Sequence, residues 1–292
     1  MSSSLLRRLR ADDAERVAAL FDEAFGADRT VDAEEIRSWL RNEELEPDWL
    51  RVLEADGTVI GYGDIWPEAR ELTLDVAAPG SWEPFFEWAE AAGRERGLPR
   101  VCVNVPAGHE VAALAETRGY RLWRSSFTMR IELAARPAEP ALPAGLTLRT
   151  YGTADAELVQ AQLNAAFSDD AFWHEVSPSN FREFYLRARG FDPSLWLLAF
   201  AGSELIGSVL AYPQRGGDTT LGWVGTLGVR REWRRRGLGA ALLQRAFAAL
   251  YDRGLPAIGL GVDAENPTGA LGLYERAGMR KIRQSDNWVL DL

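Results

Sequence analysis

Five arginines fall within seven positions, at Arg230, Arg231, Arg234, Arg235 and Arg236, in a chain of 292 residues whose formal net charge is −10. They run into Gly237-Leu238-Gly239. A short apolar segment, Trp223 to Val229, precedes them, and a strongly helical run, Leu238 to Tyr251, follows. A strand that ends in a loop of arginine and glycine and opens into a helix is suited to holding phosphate. The first N–H groups of a helix have no internal partner, and the helix dipole adds partial positive charge there. Glycines at 237 and 239 let a ligand approach the backbone. Guanidinium groups add charge-assisted hydrogen bonds to phosphate oxygens. The plain alternative is a solvated basic turn before an ordinary amphipathic helix.

Other glycine loops fit poorly. A Walker loop needs Gly-x-x-x-x-Gly-Lys-Ser/Thr, which the chain lacks. A dinucleotide loop needs a glycine where Leu242 stands. No Gly-x-Ser-x-Gly elbow marks a hydrolase. A second block follows the first. Ile258 to Val262 reads as a strand, then come Asp263-Ala264-Glu265-Asn266 and Ala270-Leu271-Gly272-Leu273-Tyr274-Glu275-Arg276-Ala277-Gly278-Met279.

Arg234-x-x-Gly237-x-Gly239 after a strand, with this second block, resembles the acetyl-CoA signature of the GNAT acetyltransferase superfamily. Met279 stands where that family usually ends in Phe. The resemblance implies acetyl-CoA as co-substrate, no metal, and a small-molecule amine as acceptor. It implies cofactor contacts from Leu227, Gly228, Val229, Arg234, Arg235, Arg236, Gly237, Leu238, Gly239, Ala240 and Asn266. The pyrophosphate is expected on the N–H groups of residues 235–240. The pantetheine arm is expected to pair like an extra strand with Leu227 to Val229, and Gly225 and Gly228 fit a bulge or a close approach there. Tyr274, eight residues after Asn266, takes the role of the acid that protonates the leaving thiolate. As an ordinary phenol it would titrate near pH ~10.

The general base is open. Leu221-Gly222-Trp223-Val224-Gly225 holds no carboxylate, Asp218 lies far upstream, and His174 and Glu175 are weak candidates. Phe172, Trp173, Phe181, Phe184, Tyr185 and Trp223 could line an acceptor pocket or simply fill the core.

The elements that must carry these residues occur twice. Asp13-Ala14-Glu15 parallels Asp155-Ala156-Glu157, and Ala24-Phe25 parallels Ala166-Phe167. Ile60-Gly61 parallels Ile206-Gly207, and Arg96-Gly97-Leu98-Pro99 parallels Arg253-Gly254-Leu255-Pro256. The expected fold class is α/β with mixed sheets, in two tandem GNAT-like domains, each a mostly antiparallel sheet flanked by helices. The expected boundaries are 1–135, a Pro/Ala-rich linker at 136–144, and a catalytic domain at 145–292. In the second copy the pattern predicts strands at 146–150, 195–200, 205–212, 221–229, 257–262, 279–283 and 286–291. It predicts helices at 154–167, 178–189, 238–252 and 268–277.

Between Val76 and Pro99 the first copy is four residues shorter than the second is between Val229 and Pro256. Ala77-Ala78-Pro79-Gly80-Ser81-Trp82-Glu83-Pro84 replaces the basic loop, which predicts lost cofactor binding there. This tandem layout is similar to that of the mycothiol synthase family.

Composition narrows the rest. Cys102 is the single cysteine and only two histidines occur, which leaves little for disulfide or zinc chemistry. The acidic balance argues against nucleic acid as partner. The absence of a long apolar run or an N-terminal apolar segment predicts a cytoplasmic protein, monomer or homodimer. The functions to weigh are a small-molecule N-acetyltransferase, a mycothiol-synthase-like enzyme within that class, and a non-catalytic acyl-CoA sensor.

Overall fold

The computed structural model describes residues 4–26, 31–41, 45–67, 71–170, 173, 175–215 and 217–292. His174 and Phe172 fall outside them.

The chain divides into two compact units: residues 1–126 with 283–292, and residues 127–282. The first holds β1 (Ser4–Arg8), α1 (Ala14–Phe25), α2 (Ala33–Leu40), β2 (Leu50–Ala55), β3 (Thr58–Pro67), β4 (Leu72–Ala77), α3 (Glu83–Glu95), β5 (Arg100–Pro106) and α4 (Glu110–Thr117). β6 (Arg121–Glu132) crosses from the first unit to the second. The second continues with β7 (Leu146–Thr150), α5 (Ala156–Phe167), α6 (Pro178–Phe181), β8 (Trp196–Ala201), β9 (Glu204–Tyr212), β10 (Leu221–Val229), α7 (Leu238–Tyr251), β11 (Ala257–Asp263) and α8 (Ala270–Arg276). β12 (Arg280–Asp291) belongs mostly to the first unit.

Both units are mixed sheets with helices packed on them. β4–β5 and β10–β11 are parallel, whereas β1–β2, β2–β3, β3–β4, β5–β12, β7–β8, β8–β9 and β9–β10 are antiparallel. The repeat shows in detail. Arg7 grips Asp13 with two hydrogen bonds (2.8 and 2.9 Å), and Arg149 grips Asp155 the same way (2.5 and 2.7 Å). Each carboxylate also accepts the backbone N–H three residues earlier, from Arg10 and from Gly152. One brace thus ties the first strand to the first helix in both units.

The expected boundaries shift where long-range pairing decides them. β12 pairs with β5 from Ser285↔Pro106 to Asp291↔Arg100, so residues 283–292 complete the first unit. The two closing strands expected at 279–283 and 286–291 are one strand. Its polar interruption is satisfied by side chains, with Asp286 accepting from Ser125 (2.7 Å) and Gln284 (2.8 Å). The helix expected over 178–189 is α6 followed by a π-helical turn, Arg182–Leu186. The expected linker at 136–144 lies against α7. Arg136 pairs with Asp252 (2.8 Å), and Arg245 pairs with Glu139 (2.5 Å).

α7 forms because Leu238, Leu242, Ala246 and Leu250 recur on one face, all buried. It stops at Gly254, whose φ of 77° suits glycine, with Pro256 just beyond. α7 and α5 lie on opposite faces of β9 and β10. A Cβ at Gly222 would meet Leu250 of α7, and one at Gly228 would meet Ala166 and Phe167 of α5. Strand positions six apart share a face unless a bulge intervenes. The register of β10 against β9 slips between Val224 and Thr226, so Gly225 is the extra residue.

Candidate active site

The slip at Gly225 reshapes β10 where the sequence expects a ligand. Pairing of β10 with β11 covers only Leu221↔Ala257, Gly222↔Ile258 and Trp223↔Gly259. Among the described residues, the β11-facing edge of β10 has no strand pairing past the bulge. Arg230 N–H donates to Ile206 O at 2.9 Å, and antiparallel partners alternate between bonded and non-bonded pairs. Gly228 therefore faces Ser208 of β9, while the peptide groups of Leu227 and Val229 turn toward the open edge. Gly228 is also tied down from α5, because fully buried Gln162 donates to its carbonyl (3.2 Å) and accepts from Ser208 Oγ (2.6 Å). Of the three residues expected at the pantetheine, Leu227 and Val229 present backbone and Gly228 does not.

The basic loop follows. A single 3-10 turn, Arg231–Trp233, leads to Arg235 with φ 61° and Gly237 with φ 83°. These left-handed residues turn the chain into α7. The first intrahelical bond runs from Ala241 N–H to Gly237 O (3.1 Å), which leaves the N–H groups of Leu238, Gly239 and Ala240 without helical partners. A Cβ at Gly237 would meet nothing within 4 Å, so the mouth of the loop is open. Arg236 lies over the Trp233 ring, 4.9 Å from its centroid.

Arg234 is engaged elsewhere. It makes a bidentate pair with Asp169 (2.6 and 2.9 Å) and donates to Ala166 O (2.6 Å) and Val229 O (3.1 Å). The paired guanidinium holds the Asp169 carboxyl below the usual carboxylate range, and the carboxylate raises the Arg234 guanidinium in turn. Asn266 likewise turns to the protein. Its Nδ2 donates to Asp170 Oδ2 (3.1 Å) and its Oδ1 accepts Thr268 N–H (3.0 Å), fixing the turn before α8. Sequence reading missed Asp169, Asp170 and Gln162, because their partners lie 65, 96 and 66 residues away.

Tyr274 sits on α8, 7 % exposed, and its hydroxyl makes no hydrogen bond among the described residues. Desolvation pushes its pKa up to about 12. That moves the expected phenol value upward and keeps the proton on at neutral pH.

Two of the base candidates fall among the described residues. Glu175 is exposed in the segment between α5 and α6. Asp218 is exposed in the β9–β10 connection, where bonds from Thr220 keep its carboxyl ionised. The aromatic residues divide. Phe181 is core (1 % exposed), Trp173 stacks on Phe167 (4.6 Å), and Phe184 is exposed. Trp223 packs under Gly259 with Arg215 above it. Tyr185 stacks on Phe181 (5.1 Å) and hydrogen-bonds Thr226 just past the bulge, and burial raises its pKa. Tyr212 covers the bulge, since a Cβ at Gly225 would lie 2.7 Å from its ring.

The first unit keeps the layout and fills the corresponding place with its own side chains. Gly61 matches Gly207, so Ala77, paired with Tyr62, matches Gly228, paired with Ser208. The sheet register thus shifts the sequence match, which had set Val76 against Val229. α3 starts six residues after Ala77 and α7 ten after Gly228, so the loop before the helix is four residues shorter in the first unit. β4 runs beside β3 without a bulge. Trp82, 6 % exposed, donates to Glu110 (2.9 Å) and packs against Phe25 and the edge of His109. His109 Nε2 bonds Ala24 O (3.0 Å), the counterpart of the Ala166 carbonyl that Arg234 holds.

The comparisons with known proteins agree with this geometry. Residues 158–279 match the Acetyltransferase (GNAT) family. A mycothiol acetyltransferase of Streptomyces avermitilis is 32% identical over 95% of this chain and 91% of its own. That of Paenarthrobacter aurescens is 34% identical over 81% and 74%. Among solved structures, a GCN5-related N-acetyltransferase from Sphaerobacter thermophilus superposes with a TM-score of 0.76 at 30% identity, covering 99% of this chain and 95% of that one. A tandem GNAT protein from the clavulanic acid biosynthesis pathway shares the fold, with a TM-score of 0.71 at 17% identity and coverage of 99% and 98%. The splayed strand, the left-handed turn into α7 and these relatives together establish that the chain belongs to the acetyltransferase (GNAT) family and is an N-acetyltransferase.

Proposed function

We propose that the second unit transfers an acetyl group from acetyl-CoA to the primary amine of a small molecule, by direct attack within a ternary complex. The observation that carries this reading is the open edge of β10 leading into the left-handed turn at Gly237. The N–H groups of Leu238, Gly239 and Ala240, with Arg235 and Arg236, form a cradle for a pyrophosphate. The outward N–H and C=O of Leu227 and the outward N–H of Val229 can pair with an extended amide arm, the Val229 carbonyl being held by Arg234. Their N–H groups are donors for a carbonyl oxygen that gains charge during attack. Tyr274, protonated at neutral pH, can supply the proton that the departing thiolate needs. The amine proton passes to water in this reading, because no carboxylate stands at Leu221 to Gly225. The test is thiol release from acetyl-CoA with a panel of amines. Absence of turnover with tight acyl-CoA binding would support a sensor instead.

A second reading narrows the acceptor. The relatives named mycothiol acetyltransferases match along most of the chain, which supports the unacetylated form of mycothiol as a member of that panel.

Two binding outcomes follow. Calorimetry with CoA should give one site per chain, because Trp82, Phe25 and His109 fill the place in the first unit. Two equivalent sites would contradict this. Arg236→Ala should weaken CoA binding by about 1.5–3 kcal/mol, the scale of a charged hydrogen bond. An unchanged Kd would remove Arg236 from the cradle.

A further inference from the structure

The segment after α5 reaches both loops that border the open end between β10 and β11. Ala166 and Asp169 hold Arg234, the first residue of the basic motif. Asp170 holds Asn266, which shapes the turn before α8. Asp170 N–H in turn donates to Phe167 O (2.8 Å), so the two carboxylates ride on one turn. Arg234 spends Nε, Nη1 and Nη2 on these partners, and its side chain is 18% exposed. Four of the guanidinium's five N–H donors are thus committed to the protein, which leaves a single Nη1 N–H for any other acceptor.

We propose that Asp169 and Asp170 are positioning residues, a two-point clasp that fixes the phosphate loop through Arg234 and the β11–α8 turn through Asn266. This inference rests on the acetyl-CoA reading and divides the motif's charge. Arg235 and Arg236 face the phosphates, and Arg234 faces the protein. The clasp holds the loop in its left-handed form before the ligand arrives, so less ordering is charged against binding. Asp169 and Arg234 then form one unit, and removing either should cost nearly as much as removing both.

The test is CoA calorimetry and acetyl-CoA kinetics on Asp169→Ala, Arg234→Ala and the double variant, with Asp169→Asn and Asp169→Glu beside them. Each single change should raise the Kd for CoA about tenfold, the scale of one charged contact, and the double variant should be no worse than about twofold beyond either. KM for acetyl-CoA should rise in step while kcat and the amine KM hold. Asp169→Glu should recover part of the affinity, whereas Asp169→Asn, which keeps the size and loses the charge, should not. The same cycle on Asp170 and Asn266 should show the same coupling.

Arg235→Ala and Arg236→Ala separate the two possible failures. If they raise the Kd and lower its salt dependence while Asp169→Ala leaves it unchanged, the clasp is wrong and the loop reading stands. If neither arginine variant changes CoA binding, the loop reading itself fails. Additive costs at Asp169 and Arg234, or a drop in melting temperature with equal loss of both KM values, would also overturn the clasp.

Discussion

Tyr274→Phe should lower the turnover number by about 10²–10⁴, the usual contribution of a positioned acid, while CoA affinity holds. The exchange keeps the ring that packs among the buried residues of α7 and β11 and removes only the hydroxyl. Because that hydroxyl makes no hydrogen bond to the described residues, its loss strands no buried partner. The pH profile gives a second check. Burial raises the phenol to about 12, so the acid form persists from neutral pH up to that value and is lost only above it. The parent's turnover should therefore show no basic decline near pH ~10, where an ordinary tyrosine would impose one. Activity of the Phe variant within about twofold of the parent, at saturating acetyl-CoA, would take Tyr274 out of the reaction.

Gly237→Val should abolish measurable CoA binding. The position has φ 83°, and a side chain in that left-handed region costs about 1–2 kcal/mol, with β-branched residues the least tolerated. The open space around Gly237 means that the fold meets no clash. The strain is relieved by turning the peptide that leads into α7, and this re-aims the unpaired N–H groups. Circular dichroism should remain that of the parent while calorimetry shows no heat of binding. Gly239 is a different case, because a Cβ there would meet Leu273 at 3.5 Å, an ordinary contact. Any loss in Gly239→Val would come from crowding the ligand alone. A Gly237→Val protein that binds CoA as the parent does would rule out the cradle.

The candidate site was legible wherever its geometry is local. Arg235, Arg236 and Gly237 stand together in the sequence, and a left-handed turn before a helix writes itself as glycine. The apolar face of α7 and the bulge near Gly225 are likewise local signals. Arg234 was not legible, because nothing in Arg234-Arg235-Arg236 says which guanidinium meets Asp169. The backbone direction of Gly228 depends on its pairing with Ser208, which a strand pattern does not state. The units themselves illustrate the same limit. Alternation identifies 280–291 as strand material, but only long-range hydrogen bonding decides that its partner is β5.

That pairing gives the chain an order of assembly. While the protein is being synthesised, residues 1–126 emerge before the second unit, yet the β5 edge that awaits residues 283–292 stays unpaired until those residues have left the ribosome. The sequence for the second unit is finished sooner, at Ile282. The half made first is thus the half sealed last. In the interval the backbone N–H and C=O groups of β5 that β12 will pair stand as an open strand edge of the kind that recruits stray chains. A nascent chain stalled just before residue 283 is the form most in need of a chaperone.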